Sequence, residues 1–249
     1  MAIFADTGWE PQSVYENVNW LKTVVSFPIV TVVANPDQSL REAVLAGVNV
    51  RGRPWLTIPA FLADRDGQAA GMNWRQCTTD YKIAPIRAEV RARLGLAPRS
   101  PVPPATTVEM WLGISLDEHV RMRIAPDRWI INQYPLIDME LTRDDCIEWF
   151  EEEYPDRKLP RSACIACPYR SRGAWIRFAE EDPEAFADAV QTDHALRSPG
   201  HNATRMFRKQ VFLHPQRIPL DQAVAVDISQ NTTTDEDHWG NECAGTCGV

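Results

Sequence analysis

Along the chain, short β-branched or apolar runs alternate with stretches that are apolar at helical spacing. Ala2-Ile3-Phe4-Ala5 predicts a strand, Asp6-Thr7-Gly8 a turn, and Pro11 to Leu21 a helix whose first turn suits the proline. Pro28 to Ala34 is a β-branched run of the kind found in buried parallel sheets, and it leads through Asn35-Pro36-Asp37 into a helical pattern from Ser39 to Ala46. Thr57 to Phe61 predicts a short strand or extended segment, Thr79 to Leu94 a helix, and Thr107 to Ile114 a third strand followed by a helix from Leu116 to about Arg123. Thr142 stands where it would cap a helix from Arg143 to Glu153, and Arg172 to Arg197 is helical with a break near Asp182-Pro183. The β-α-β-α order predicts an α/β fold with a parallel sheet flanked by helices. It divides the chain into an α/β core over 1–140, a helical cysteine-bearing part over 141–228, and a flexible tail over 229–249.

Composition narrows the classes. With 249 residues, 44% hydrophobic and 24% charged, the chain has enough apolar surface for a sizeable core and is neither a disulfide miniprotein nor a disordered tail. The net charge of -8 argues against nonspecific nucleic-acid binding through bulk charge, so an anion site has to be built locally. No apolar run approaches the roughly 20 residues of a bilayer span, and no basic, apolar leader precedes the first strand, so the expected compartment is the cytoplasm, with no membrane partner.

The six cysteines carry the first chemistry. Cys164-Ile165-Ala166-Cys167 has the C-x2-C spacing that lets two thiolates meet one metal or cluster from a tight turn. Cys77 and Cys146 are the other thiols that could join them. The spacing leaves open an iron-sulfur cluster, a zinc site, a redox dithiol, or buried unligated cysteines. Six basic residues and no acidic one lie between Arg157 and Arg177, a local excess able to offset thiolate charge or to hold phosphate or sulfonate. Arg75 and Lys82 flank Cys77. Asp6, Thr7 and Gly8 end the first strand, where open α/β sheets bind ligands.

Several segments together resemble the PAPS (phosphoadenosine phosphosulfate) reductase family, and more closely its phage-associated branch within the adenine nucleotide alpha-hydrolase, or PP-loop, superfamily. They are Ala5-Asp6-Thr7-Gly8 with Glu10-Pro11, Arg75-Gln76-Cys77-Thr78 with Lys82, Trp111 to Ser115 with Glu118 and Arg121, and Cys164-x2-Cys167-Pro168-Tyr169, in family order. The resemblance implies a Rossmann-like, HUP-type sheet with ATP or PAPS at its carboxyl edge. It also implies a [4Fe-4S] cluster on Cys77, Cys146, Cys164 and Cys167, with zinc as the alternative. Asp6, Thr7, Gly8, Arg75, Lys82, Arg121 and Arg170 then hold nucleotide or sulfonate. Glu242-Cys243, with Cys247 beyond it, is similar to the family's mobile Glu-Cys-Gly segment, which makes Cys243 the expected nucleophile and Cys247 its resolving thiol. A thiol reductant such as thioredoxin or glutaredoxin would then regenerate them.

None of the 12 glycines forms the family's Ser-Gly-Gly-x-Asp-Ser loop. The first residues match the family's second strand, so the first βα unit is expected to be missing, through an upstream start or a true loss. Two further functions stay open from sequence: ATP-dependent thiolation or modification of a nucleic acid, and an inert binding subunit with a structural metal site.

Overall fold

The computed structural model describes residues 1–230. Strand β1 (Ala2–Asp6) pairs in parallel with β2 (Ile29–Val33), Ala2 opposite Ile29 and Asp6 opposite Val33. Helix α1 (Gln12–Val24) connects them, so the βαβ unit predicted from the residue pattern over 2–34 is present. After β2 comes α2 (Leu40–Ala46), started by a reciprocal cap: Ser39 accepts from the Glu42 amide while Glu42 accepts from Ser39.

The next expected strand is displaced. Only β3 (Phe61–Ala63) makes a ladder, antiparallel to β4 (Ala69–Met72) on one side and to β7 (Gln210–Phe212) on the other. Residues before it are spoken for differently. The Asn73 amide group donates to the carbonyls of Leu56 and Ile58 at 3.0 Å each, and the Thr57 carbonyl accepts from the amides of Gln76 and Cys77. Pro59 has no amide to offer a ladder. This arrangement seats Cys77 at the start of the next element.

That element is not the uniform helix the pattern predicts. Thr78–Ile83 forms a π-helical turn that passes into α3 (Ala84–Arg93), the Ala84 amide bonding the Thr79 carbonyl. Pro85 lacks the N–H that would continue the α-helical ladder, which accounts for the wider turn just before it. Tyr81 and Lys82 are carried on this turn.

The described residues divide into two compact units: residues 1–86 with 162 onward, and residues 87–161, which interrupt the first unit in sequence. The second unit contains β5 (Val108–Trp111) parallel to β6 (Ile130–Gln133), a 3-10 turn over Leu116–Arg121 in place of the expected helix, the short α4 (Pro135–Asp138), and α5 (Arg143–Glu153). Thr142 caps α5 as its sequence position predicts, accepting from the Asp145 amide. The first unit is completed by α6 (Arg172–Glu181), α7 (Pro183–Leu196), α8 (Asn202–Phe207), β7 and α9 (Leu220–Ser229). Asp182 ends α6 and caps α7, which explains the expected break. The core of the first unit gathers Leu40 and Val44 from α2, Trp175 from α6, and Trp9, Leu56 and Leu213 from the segments between elements.

The protein is thus a mixed α/β chain with short parallel strand pairs and helices. Its 141–228 stretch contains a strand, β7, which only pairing with β3 can form. Among the described residues, no helix is long and apolar enough to cross a membrane.

Candidate functional site

Both parts of the site lie in the first unit, on either side of the turn that follows β1. The first part is a cleft of about 290 Å³ at the carboxyl ends of β1 and β2, lined by Asp6, Thr7 and Gly8 from one turn and by residues 33–39, Glu42 and Tyr81 around it. Gly8 has φ +69°, a left-handed conformation, and a Cβ there would stand 2.8 Å from the Ser39 Cβ, so the turn closes against α2 only with glycine. Asp6 Oδ1 accepts the Gly8 amide at 2.7 Å and the Tyr15 hydroxyl at 2.9 Å, which fixes the carboxylate at the cleft. Burial and the adjoining Asp6 carboxylate raise the Tyr15 phenol above its ordinary range, so it remains a donor.

The second part is a thiol pocket behind the same turn. Thr7, almost fully buried, donates from Oγ1 to Glu10 Oε1 at 3.0 Å and lies 3.6 Å from Cys164 Sγ. The Cys164 thiol donates to the same Glu10 oxygen at 3.4 Å. The C-x2-C loop is tied to this turn by the Ile165 amide, which donates to the Trp9 carbonyl at 3.0 Å, and closed on itself by the Cys167 amide and Cys164 carbonyl at 3.1 Å. Cys167 stands close enough to Cys77 to disfavour ionisation of the Cys77 thiol.

Burial is the main cause that pushes the Cys77 thiol up to about 12, and burial followed by the Glu10 charge raises Cys164 well above an ordinary thiol. Lys82 goes the opposite way from a buried lysine. The Cys164 sulfur, then Glu10, Cys77 and Cys167, hold its ammonium charged against the opposing effect of desolvation. The pocket therefore joins three thiols, one carboxylate and one ammonium.

The remaining expected residues have these placements. The Arg75 guanidinium stands 5.4 Å from the Tyr169 ring centre. Arg170 is buried, 4.0 Å above the Phe178 ring, and donates to the carbonyls of Ala163 and Cys164, so its visible work is to hold the C-x2-C loop. Arg121 belongs to the second unit, where it pairs with the buried Glu118, which also receives Arg143 at 3.4 Å. Cys146 is on α5 of that unit, its thiol raised by burial and by Asp145. Cys243 and Cys247 lie outside the described residues.

No family model, curated protein or solved structure matches the chain.

The donor types suit a thiophilic metal or an iron-sulfur cluster, since Cys77, Cys164 and Cys167 are soft ligands near a cation that would offset their charge. Among the described residues, however, no three His, Cys, Asp or Glu side chains stand in an arrangement that closes on one ion. Two members of the site escape a reading of the sequence as a set of binding residues. Glu10 appears there only as part of a motif, although a carboxylate three residues after Thr7 is placed to receive its hydroxyl. Tyr81, beside Lys82, gives no local sign of facing the cleft.

Proposed function

We propose that the chain is a PAPS reductase-like protein that carries out sulfonucleotide reduction or sulfur transfer with an adenine nucleotide bound at the edge of a Rossmann-like, HUP-type parallel scaffold. The observation that carries this reading is the position of Thr7, which lines the strand-end cleft and at the same time contacts the Cys164 thiol. One turn thus joins the place where parallel α/β pairs bind ligands to the place where sulfur chemistry is available. Thr7 and Gly8 shape the cleft, Lys82 supplies positive charge toward the sulfurs, and Arg75 is the proposed sulfonate-binding cation.

In the reductive version, a Cys243 thiolate attacks the sulfonate sulfur. The bond from that sulfur to the phosphate oxygen breaks, leaving an S-sulfocysteine and the free nucleotide. Cys247 then attacks Cys243 Sγ, sulfite leaves with the bonding electron pair, and the two thiols end as a disulfide. Sulfur falls from the sulfonate to the sulfite oxidation level as two thiols are oxidised, and a thioredoxin- or glutaredoxin-type reductant restores them. A cluster held by Cys77, Cys164 and Cys167 would supply electrostatic or sulfur-donor chemistry beside the cleft.

The test incubates the purified protein with PAPS or adenylyl sulfate and a thiol reductant. Sulfite release, with radiosulfur trapped on Cys243 when Cys247 is replaced by Ser, is the expected result. Absence of both overturns the reductive reading. Iron analysis with absorbance near 400 nm separates a cluster from zinc, which would give a colourless protein.

A further inference from the structure

The strand-end cleft has a chemistry that its position does not dictate. Its lining includes the carboxylates of Asp6, Asp37 and Glu42 and no lysine, arginine or histidine. The amides a phosphate would normally recruit are largely taken by the protein. Gly8 donates to Asp6 Oδ1 at 2.7 Å, Asp37 to Asn35 Oδ1 at 3.0 Å, Gln38 to the Asn35 carbonyl at 3.4 Å, and Leu40 to the Thr7 carbonyl at 2.8 Å. The Ser39 amide goes to Glu42 Oε2 at 2.7 Å within the reciprocal cap. An entering phosphate would therefore meet like charge and few free donors.

Acceptors, by contrast, are in excess. Asp6 uses Oδ1 and Glu42 uses Oε2 for internal bonds, and the second oxygen of each accepts no hydrogen bond among the described residues. Tyr81 adds an independent observation. It lines the cleft, is only 1% exposed, and its hydroxyl is buried with no hydrogen-bond partner. A hydroxyl left unpaired at this depth is unfavourable unless a ligand atom completes it.

We propose that this cleft binds the vicinal diol of an unphosphorylated sugar, the ribose of a nucleoside, with its hydroxyl hydrogens given to Asp6, Asp37 or Glu42 and its oxygen receiving the Tyr81 phenol proton. A hydroxyl both donates and accepts, as this mixed lining requires, whereas an ammonium can only donate. Carboxylates near the end of a second parallel strand are known to take ribose hydroxyls in dinucleotide-binding sheets. The inference rests on the nucleotide reading above and narrows it to ligands with free 2′- and 3′-hydroxyls, such as adenylyl sulfate or ATP, whose 5′-phosphates and sulfonate lie outside the cleft; PAPS, phosphorylated at the 3′-hydroxyl, has no such diol.

The test titrates the full chain with adenosine, 2′,3′-dideoxyadenosine, AMP and spermidine by calorimetry. Adenosine is expected to bind at least as tightly as AMP, and removal of both hydroxyls to weaken it about tenfold or more, the size of one or two lost hydrogen bonds. Tyr81→Phe, which keeps the buried ring, and Asp37→Asn, at the surface, should each weaken adenosine by about three- to tenfold while leaving dideoxyadenosine unchanged. AMP binding tenfold tighter than adenosine, equal affinity with and without the diol, no adenosine binding, or spermidine as the only ligand would each overturn the proposal. Sulfite release by the wild-type protein is measured in parallel. Diol-dependent binding without sulfite release defeats the sulfur reading and leaves this inference standing; sulfite release without diol dependence does the reverse.

Discussion

Asp193 and Glu10 are both carboxylates buried in the first unit, at 0% and 5% exposure, and they are treated oppositely. Asp193, on α7, accepts the Leu213 amide at 2.8 Å and the Leu220 amide at 3.0 Å and pairs with Arg197 at 2.7 Å. Nearby Asp227, also fully buried, takes Arg172 Nε and Gln216 Nε2 on Oδ1 at 2.8 Å each, while its Oδ2 accepts no hydrogen bond and has His214 Nε2 facing it at 3.2 Å, so it lies between the two cases. These groups fasten α6, α7, α9 and the segment after β7 to one another. Glu10 has Thr7 and Cys164 on one oxygen and nothing on the other. Asp193, both of whose oxygens are engaged by its own chain, is a fastener. A buried acid left partly unfilled beside thiols and a ligand cleft belongs to a site awaiting another molecule.

The largest expected effect tests the fastener. Asp193→Asn removes the charge facing Arg197 and one of the acceptors used by two buried amides, and should destabilise the protein by about 3–5 kcal/mol in urea unfolding. A loss below about 1 kcal/mol would mean that the network carries little of the fold. Arg170→Ala comes next, because it removes a guanidinium stacked on Phe178 and frees the carbonyls of Ala163 and Cys164. A loss of about 2–4 kcal/mol is expected, with Arg170→Lys recovering only part of it, since an ammonium cannot stack and fork in the same way. Full recovery by lysine would show that charge alone matters there.

Acidification should act on the fastener too. Burial lowers the His214 pKa in the folded protein, ahead of the opposing effect of Asp227, while Arg172 also lowers it and Asp193 raises it. The unfolded chain then binds a proton first, so this histidine's contribution is complete above about pH 6.5 and is lost as pH falls from there toward the lower folded value. Urea midpoints taken between pH 7.5 and 5 should fall for the wild type and fall less steeply for His214→Gln. Equal slopes would remove His214 from the account.

What was legible in the sequence follows the same division. β1, α1, β2 and α2 depend on local runs and turns, and Thr142 caps α5 through a residue three places away, so all were readable. The fasteners were not, because the Leu213 amide reaches Asp193 across 20 residues and β7 exists only by pairing with β3. The cysteine and turn residues of the site stood out by type and spacing. Their relation did not: Glu10 and Cys164 are 154 residues apart, and a hydrogen bond over that distance leaves no periodic trace. Tyr81 was hidden for another reason, since an aromatic on a helical pattern looks like core, and it is core except at its hydroxyl.

The smallest stability effect is expected at Glu10, and it bears most directly on the contrast. Glu10→Gln keeps an oxygen for the Thr7 hydroxyl and Cys164 thiol and removes a charge that is only partly compensated. Lys82 loses its carboxylate neighbour, and the Cys164 sulfur does not replace it, because that sulfur carries no charge while it remains a thiol. The relief of desolvation and the loss at Lys82 oppose each other, so stability should change by no more than about 1 kcal/mol in either direction. Chemistry should move more than stability. The Glu10 charge raises the Cys164 thiol, so its removal should increase the thiolate fraction and speed alkylation of Cys164 by iodoacetamide at pH 8, followed by peptide mass spectrometry. A stability loss as large as that of Asp193→Asn, with alkylation unchanged, would make Glu10 a fastener too and dissolve the distinction between the two carboxylates.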